Sequence, residues 1–243
     1  MYKLFLALRA LIFYTGYVLM SLWICGTGVL FFKFAPYPIR SCYILYWNHF
    51  TIFWAKAVCG LNFEIIGAEN LPKDRAYVAL SKHQSQWETF FLLYFLAPVS
   101  IVLKQELLNV PIFGWGLSMV DPIAIDRSNP KQALKKIQTD GINKIAQGRN
   151  VLIFPEGTRT VVGQIGNYAR GGANIAVKSQ APVIPISHNA GVFWPSDGFL
   201  KYPGTIRIVI GEPIETNDKT SREVNELAKN WIEQEAAKLP LHR

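Results

Sequence analysis

The chain is 243 residues long, half of them apolar and only 17% charged, with a formal net charge of +8. That length allows one well-buried core plus an appendage, and the composition is apolar for a freely soluble protein yet too polar for one of many membrane spans. Five of the eight net positive charges (Lys3, Arg9, Lys33, Arg40 and Lys56) precede the first acid, Glu64. They flank apolar segments, which suits anionic lipid headgroups and argues against nucleic acid, whose binders carry their excess charge on the folded domain.

Residues 10–32 contain no charge. As a helix they extend about 34 Å, enough to cross a bilayer core of roughly 30 Å. The run is too long for the apolar core of a signal peptide and no small-x-small site follows it, so retention is expected. Pro36 and Pro38 are expected to break the helix. A second uncharged stretch, 41–55, is marginal as a span. In it Tyr43, Trp47, Phe50 and Trp54 recur at helical spacing. That stripe fits either a membrane interface or packing on the first helix. Residues 1–61 are therefore expected to form a helical membrane anchor, a hairpin that spans or dips into one leaflet. Cys25, Cys42 and Cys59 all lie here, at spacings that suit neither a metal site nor a disulfide framework, and are expected to be buried free thiols.

From about residue 61 the pattern changes. Short β-branched runs at 62–66, 76–80, 100–103, 122–125, 150–154, 183–186 and 205–210 predict strands, and 87–96, 130–147, 171–178 and 221–238 predict helices. The alternation predicts an α/β domain over 62–243, a mixed, largely parallel sheet flanked by helices.

Two segments carry chemistry. In His83-Gln-Ser-Gln-Trp-Glu88, five residues of continuous helix would leave His83 and Glu88 about 140° apart, so the pair meets only if His83 sits in the turn before a helix and Glu88 in its first turns. A strand ending at residue 80, Ser85 as N-cap and Trp87 as the first apolar helical residue offer that arrangement. A carboxylate on Nδ1–H would leave Nε2 free to take a proton from a hydroxyl. The structural alternative is a simple hydrogen-bonding histidine. In Phe154-Pro-Glu-Gly-Thr-Arg159, a Gly turn and an Arg follow a buried strand, where α/β folds place ligands. Gly157 permits a positive φ and Arg159 presents a planar fork suited to phosphate; the alternative is a surface turn with a solvated Arg. Lys104 and Arg127 also follow predicted strands and are candidates to converge on the same anion. His188 and Asn189 end another strand and are read as structural. No nucleophile elbow, zinc helix or phosphate loop is present, and no metal or cofactor is expected.

Together with Lys104-Gln-Glu-Leu, Phe113-Gly-Trp-Gly, Ile125-Asp-Arg127 and Ala181-Pro-Val-Ile-Pro-Ile186, these motifs stand in an order that resembles the glycerolipid acyltransferase family over residues 62 to 212. The likeness is to its bacterial members that acylate 1-acyl-sn-glycerol-3-phosphate. One departure is that Glu88 stands where the family usually has Asp. The resemblance implies His83 as base with Glu88 orienting it. It also implies that the block Glu156, Gly157, Thr158 and Arg159 holds the acceptor phosphate, where Lys104 and Arg127 are expected to join Arg159 by their places after strand ends. The expected reaction is acyl transfer from acyl-CoA or acyl carrier protein to the sn-2 hydroxyl of lysophosphatidic acid, at the cytoplasmic face of a bacterial inner membrane. Alternatives are another acceptor (a lyso-ornithine lipid, glycerol-3-phosphate or another lysophospholipid) and a non-catalytic membrane-tethered lipid-binding module. Backbone N–H groups near Gly157 or at Ser85 are the candidates for stabilising an oxyanion.

Overall fold

The computed structural model describes residues 1–242. Helix α1 (Tyr2–Thr27) runs on through a π-helical turn (Gly28–Phe32), and after a short bend α2 (Tyr37–Cys59) folds back along it. The two prolines act at that bend in two senses. They stop the first helix, and they also open the second, with Pro36 as N-cap and Pro38 in the first turn. Proline is tolerated there because first-turn N–H groups have no helical acceptor to lose. Gly60, at φ +70°, closes α2 in the left-handed conformation.

Seven strands follow: β1 (Leu61–Ile66), β2 (Val78–Ser81), β3 (Val99–Lys104), β4 (Ile123–Ile125), β5 (Asn150–Ile153), β6 (Val183–His188) and β7 (Gly204–Ile210). Between and after them come α3 (Trp87–Phe95), α4 (Phe113–Ser118), α5 (Pro130–Ala146), α6 (Gly171–Ser179), the short α7 (Ala190–Phe193) and α8 (Ser221–Lys238). The strands form one sheet in the order β1-β7-β6-β2-β5-β3-β4. Every pairing is parallel except that of β6 with β7, so the sheet is mixed and mostly parallel.

Central strands are buried on both faces, and their side chains divide by the two-residue period of a strand. Val78, Leu80, Val151 and Ile153 pack with apolar residues of α5, α6 and α8. Ala79 and Leu152 join the opposite core with α3 and the hairpin, including Phe13, Ile24, Trp47 and Ile52. The hairpin thus supplies part of the second layer over the sheet. The aromatic stripe of α2 turns inward in keeping with its packing alternative: Tyr43 stacks on Phe32, the Trp47 indole donates to Ser21 at 2.9 Å, and the Trp54 indole donates to the Phe13 carbonyl at 3.1 Å. The outer surface of α1 and its π-helical turn is apolar, with Leu4, Leu8, Leu19, Trp23, Leu30 and Phe31 exposed. The stretch Tyr2–Phe32 is long and apolar enough to cross a membrane. Cys25 and Cys59 are buried free thiols, whereas Cys42 is exposed, on a turn of α2 that faces away from its neighbours.

Candidate active site

Four adjacent parallel strands, β2, β5, β3 and β4, end on the same edge of the sheet, and a cavity of about 630 Å³ lies across their C-terminal ends. His83 follows β2, Phe154 and Arg159 follow β5, Lys104 ends β3 and Arg127 follows β4; all five line this cavity, as do Gly157 and Thr158. Part of its wall is apolar, formed by residues such as the buried Ile101, Leu103 and Ile125 and the exposed Leu107.

His83 occupies the turn before α3, and Glu88 lies in the first turn of that helix. The Glu88 carboxylate is buried, and its Oε1 accepts from His83 Nδ1 at 2.9 Å and from the backbone N–H groups of Gln84 and Ser85 at 2.9 and 2.8 Å. One oxygen therefore ties the turn, the helix start and the imidazole together. Ser85 falls just short of its expected position: the N-cap is Gln86, while the Ser85 hydroxyl accepts from the Trp87 N–H at 3.1 Å. Since the carboxylate accepts, Nδ1 carries the proton, and Nε2 keeps a lone pair on the cavity side. Phe154 stacks against the imidazole, centroids 4.1 Å apart and planes within 16°, which limits ring rotation.

Burial is the largest influence on Glu88 and opposes its ionisation. The nearby His188 and His83 rings and the hydrogen bonds from His83 and Ser85 outweigh it, and the pKa falls below the ordinary carboxylate value. His188 lies beneath the site, fully buried. Its Nδ1 accepts from the Ala190 N–H at 3.2 Å, so Nε2 donates to the Lys82 carbonyl at 2.8 Å. Burial drives its pKa down against the pull of Glu88. Asn189 is structural too, bonded to the Arg207 N–H and the Pro240 carbonyl.

The loop after β5 reverses at Gly157, φ +71°, whose N–H donates to the Phe154 carbonyl at 3.0 Å. Arg159 is exposed, but its Nε donates to the Ser85 carbonyl at 3.0 Å, which aims the rest of the guanidinium and couples it to the His83 turn. Lys104 is exposed beside Glu106, at 3.1 Å. Both oxyanion candidates have their N–H groups engaged, Gly157 on Phe154 and Ser85 on Glu88. The Thr158 N–H, by contrast, has no protein acceptor among the described residues.

Glu156 differs from its neighbours in facing inward. It does not line the cavity: its side chain is fully buried, Oε2 accepts from the His83 N–H at 2.8 Å, and Oε1 accepts from Lys82 Nζ at 2.7 Å and Thr160 Oγ1 at 3.1 Å. Lys82 is itself buried and also reaches Glu233 on α8, at 2.8 Å, and the Gln164 carbonyl, at 2.9 Å. Sequence reasoning missed Lys82, Phe154 as the imidazole's stacking partner, and Glu233. The one local signal was a lysine wedged between a buried strand and the histidine.

A model of the acyltransferase family matches residues 62–189, from β1 to the end of β6. A 1-acyl-sn-glycerol-3-phosphate acyltransferase of Pseudomonas aeruginosa is 46% identical over 240 residues, covering 96% of this chain and 92% of that one. A chloroplastic enzyme of the same description from Brassica napus is 32% identical over 155 residues, 62% of this chain and 44% of its own length. The crystal structure of the 1-acyl-sn-glycerophosphate acyltransferase PlsC from Thermotoga maritima superposes with a TM-score of 0.78 at 25% identity, covering 98% of this chain and 97% of that one. With the family match spanning over half of its length and a near-full-length relative at that identity, the chain belongs to the acyltransferase family.

Proposed function

We propose that this protein is a 1-acylglycerol-3-phosphate O-acyltransferase of phospholipid biosynthesis. One observation carries the reading. The imidazole oriented by Glu88 and the guanidinium aimed by Ser85 line a single cavity at the strand ends. His83 Nε2 takes the proton of the sn-2 hydroxyl as that oxygen attacks the thioester carbonyl carbon. The new C–O bond forms, the C–S bond breaks, and the imidazolium returns its proton to the departing thiolate, so alcohol and thioester become ester and thiol. A positioned base of this kind contributes about 10²–10⁴-fold.

Arg159, with Lys104 and Arg127, holds the acceptor phosphate. Charge-assisted bonds to phosphate are worth roughly 1.5–3 kcal/mol each. Gly157 and Thr158 form the loop wall, with the unengaged Thr158 N–H as oxyanion donor. Glu156 contributes from inside, by fixing the loop. The apolar part of the cavity wall takes the acyl chain. In this reading residues 1–61 anchor the 62–243 catalytic domain to a bacterial inner membrane, with the cavity open to donors on the cytoplasmic side.

The test is phosphatidic acid formation by folded, membrane-bound His83→Ala protein, from lysophosphatidic acid with acyl-CoA and with acyl carrier protein. Near-normal turnover would remove His83 as the base. Running wild type on glycerol-3-phosphate and lyso-ornithine lipid in parallel identifies the acceptor.

A further inference from the structure

The proposed reaction brings two phosphate-bearing substrates to one histidine, and their phosphates must lie at different distances from it. In the acceptor, only a few bonds separate the phosphate from the reacting hydroxyl, so its cations have to line the cavity that holds His83. In the donor, the whole pantetheine arm separates the thioester from the phosphate. That phosphate therefore needs a second site, beyond the first cavity and continuous with it.

A second cavity of about 570 Å³ meets this requirement. It shares Arg127, Ile137, Ala169 and Gly171 with the first, so the two adjoin along that wall. Its own wall adds Arg170 and Asn174, and no Asp or Glu lines it among the described residues. Arg170 is exposed, and its guanidinium makes no ion pair or hydrogen bond among the described residues. It lies at the start of α6, whose first turn has no side-chain cap and carries no acid. Arg127, assigned above to the acceptor, sits on the shared wall, which leaves Arg170 as this cavity's own cation; a planar guanidinium at an acid-free wall suits phosphate.

We propose that this cavity receives the phosphate of the donor's pantetheine arm, with Arg170 as its partner and the arm passing Ala169 and Gly171 to bring the thioester to His83. The inference rests on the acyl-transfer reading above. Because coenzyme A and acyl carrier protein both carry that phosphate, the site serves either donor.

The experiment uses the full-length protein, as wild type, Arg170→Glu and, for an equal charge change at the opposite end of the sheet, Lys73→Glu. KM is measured for acyl-CoA, acyl carrier protein and S-acyl pantetheine lacking the phosphate. Arg170→Glu is expected to raise KM for both phosphate-bearing donors by about tenfold or more, and acceptor KM by less than about twofold. With S-acyl pantetheine the difference between variant and wild type should disappear. An equal loss with the phosphate-free donor, a rise in acceptor KM instead, or an effect with acyl-CoA alone (which would assign the cavity to the nucleotide's phosphates) overturns the proposal. Calorimetric binding of free coenzyme A needs no turnover and separates the two readings. If wild type transfers no acyl group, the reaction is wrong; if Arg170→Glu binds coenzyme A as wild type does, the site is wrong.

Discussion

The carboxylate of Glu156 accepts a hydrogen bond from the backbone N–H of His83 at 2.8 Å, across 73 residues of sequence. The tie is doubled on the carbonyl side, where the Thr160 N–H and hydroxyl donate to the His83 carbonyl at 2.8 and 3.1 Å. The turn that carries the imidazole is thus clamped to the loop that carries Arg159, and Lys82 locks the clamp to α8 through Glu233.

That clamp makes Lys82 a strong stability determinant. Lys82→Met leaves the Glu156 carboxylate buried without its counter-ion, and removing one partner of such a pair typically costs about 3–5 kcal/mol. We expect a large fall in melting temperature. Glu233→Gln should lose less, because a Gln oxygen can still accept from Lys82 and from Tyr168, which now donates to Glu233 at 2.7 Å. Thermal melts of the detergent-solubilised variants check both.

Glu88→Gln keeps an oxygen for His83, Gln84 and Ser85 while removing the charge. The fold should survive, but the imidazolium formed during proton transfer loses its counter-charge. We expect kcat to fall by roughly 10²-fold or more with acceptor KM little changed. Unchanged kcat would leave Glu88 as a turn-stabilising residue only.

Arg159→Lys removes both the planar fork and the Nε tether to Ser85. Loss of a charge-assisted phosphate contact worth about 1.5–3 kcal/mol corresponds to roughly a ten- to hundredfold rise in acceptor KM. Donor KM should hardly move. Initial rates with each substrate varied in turn provide the check.

The buried pair His188 and Glu88 predicts acid lability. His188 has a folded pKa below its ordinary value of 6.5, so the unfolded chain binds its proton first and stability falls as pH drops through that value. Glu88 also has a lowered folded pKa, so its contribution is present above the ordinary carboxylate pKa and is lost at still lower pH. His188→Gln retains a donor toward the Lys82 carbonyl and removes the first titration. Its melting temperature should decline less than wild type between about pH 7.5 and 5.5.

The hairpin is predicted to be part of the fold as well as an anchor. Trp47 is buried between α1 and the globular part, edge-on to Phe90 and Phe113. Trp47→Ala should cost about 3–5 kcal/mol, as large-to-small changes in packed cores do. A melt matching wild type would show that the globular part stands without that contact.

Much of the local structure was legible because it is set by neighbours in sequence. All seven strands lie where β-branched runs between turn residues put them, and α5 begins at Pro130 and ends just before Gly148 as its capping residues dictate. Helix α1 starts eight residues earlier than the uncharged run, because Lys3 and Arg9 interrupt the apolar sequence without breaking the helix. Helix α4 was missed since Gly114 and Gly116 lower its propensity. They are needed for close approach, Gly114 against the Leu107 and Leu108 carbonyls and Gly116 against Cys25.

The pairing of His83 with Glu88 was legible in the chain as one of two readings, because the turn-then-helix path that lets those side chains meet is local. Which strands lie side by side did not follow, and that order (β2-β5-β3-β4) is what brings Lys104, Arg127 and Arg159 to the same cavity as the imidazole. The inward turn of Glu156 onto Lys82 likewise depended on tertiary packing. Local periodicity constrains the backbone within an element; convergence between elements far apart in sequence is decided only when the sheet closes and its strand ends share one edge.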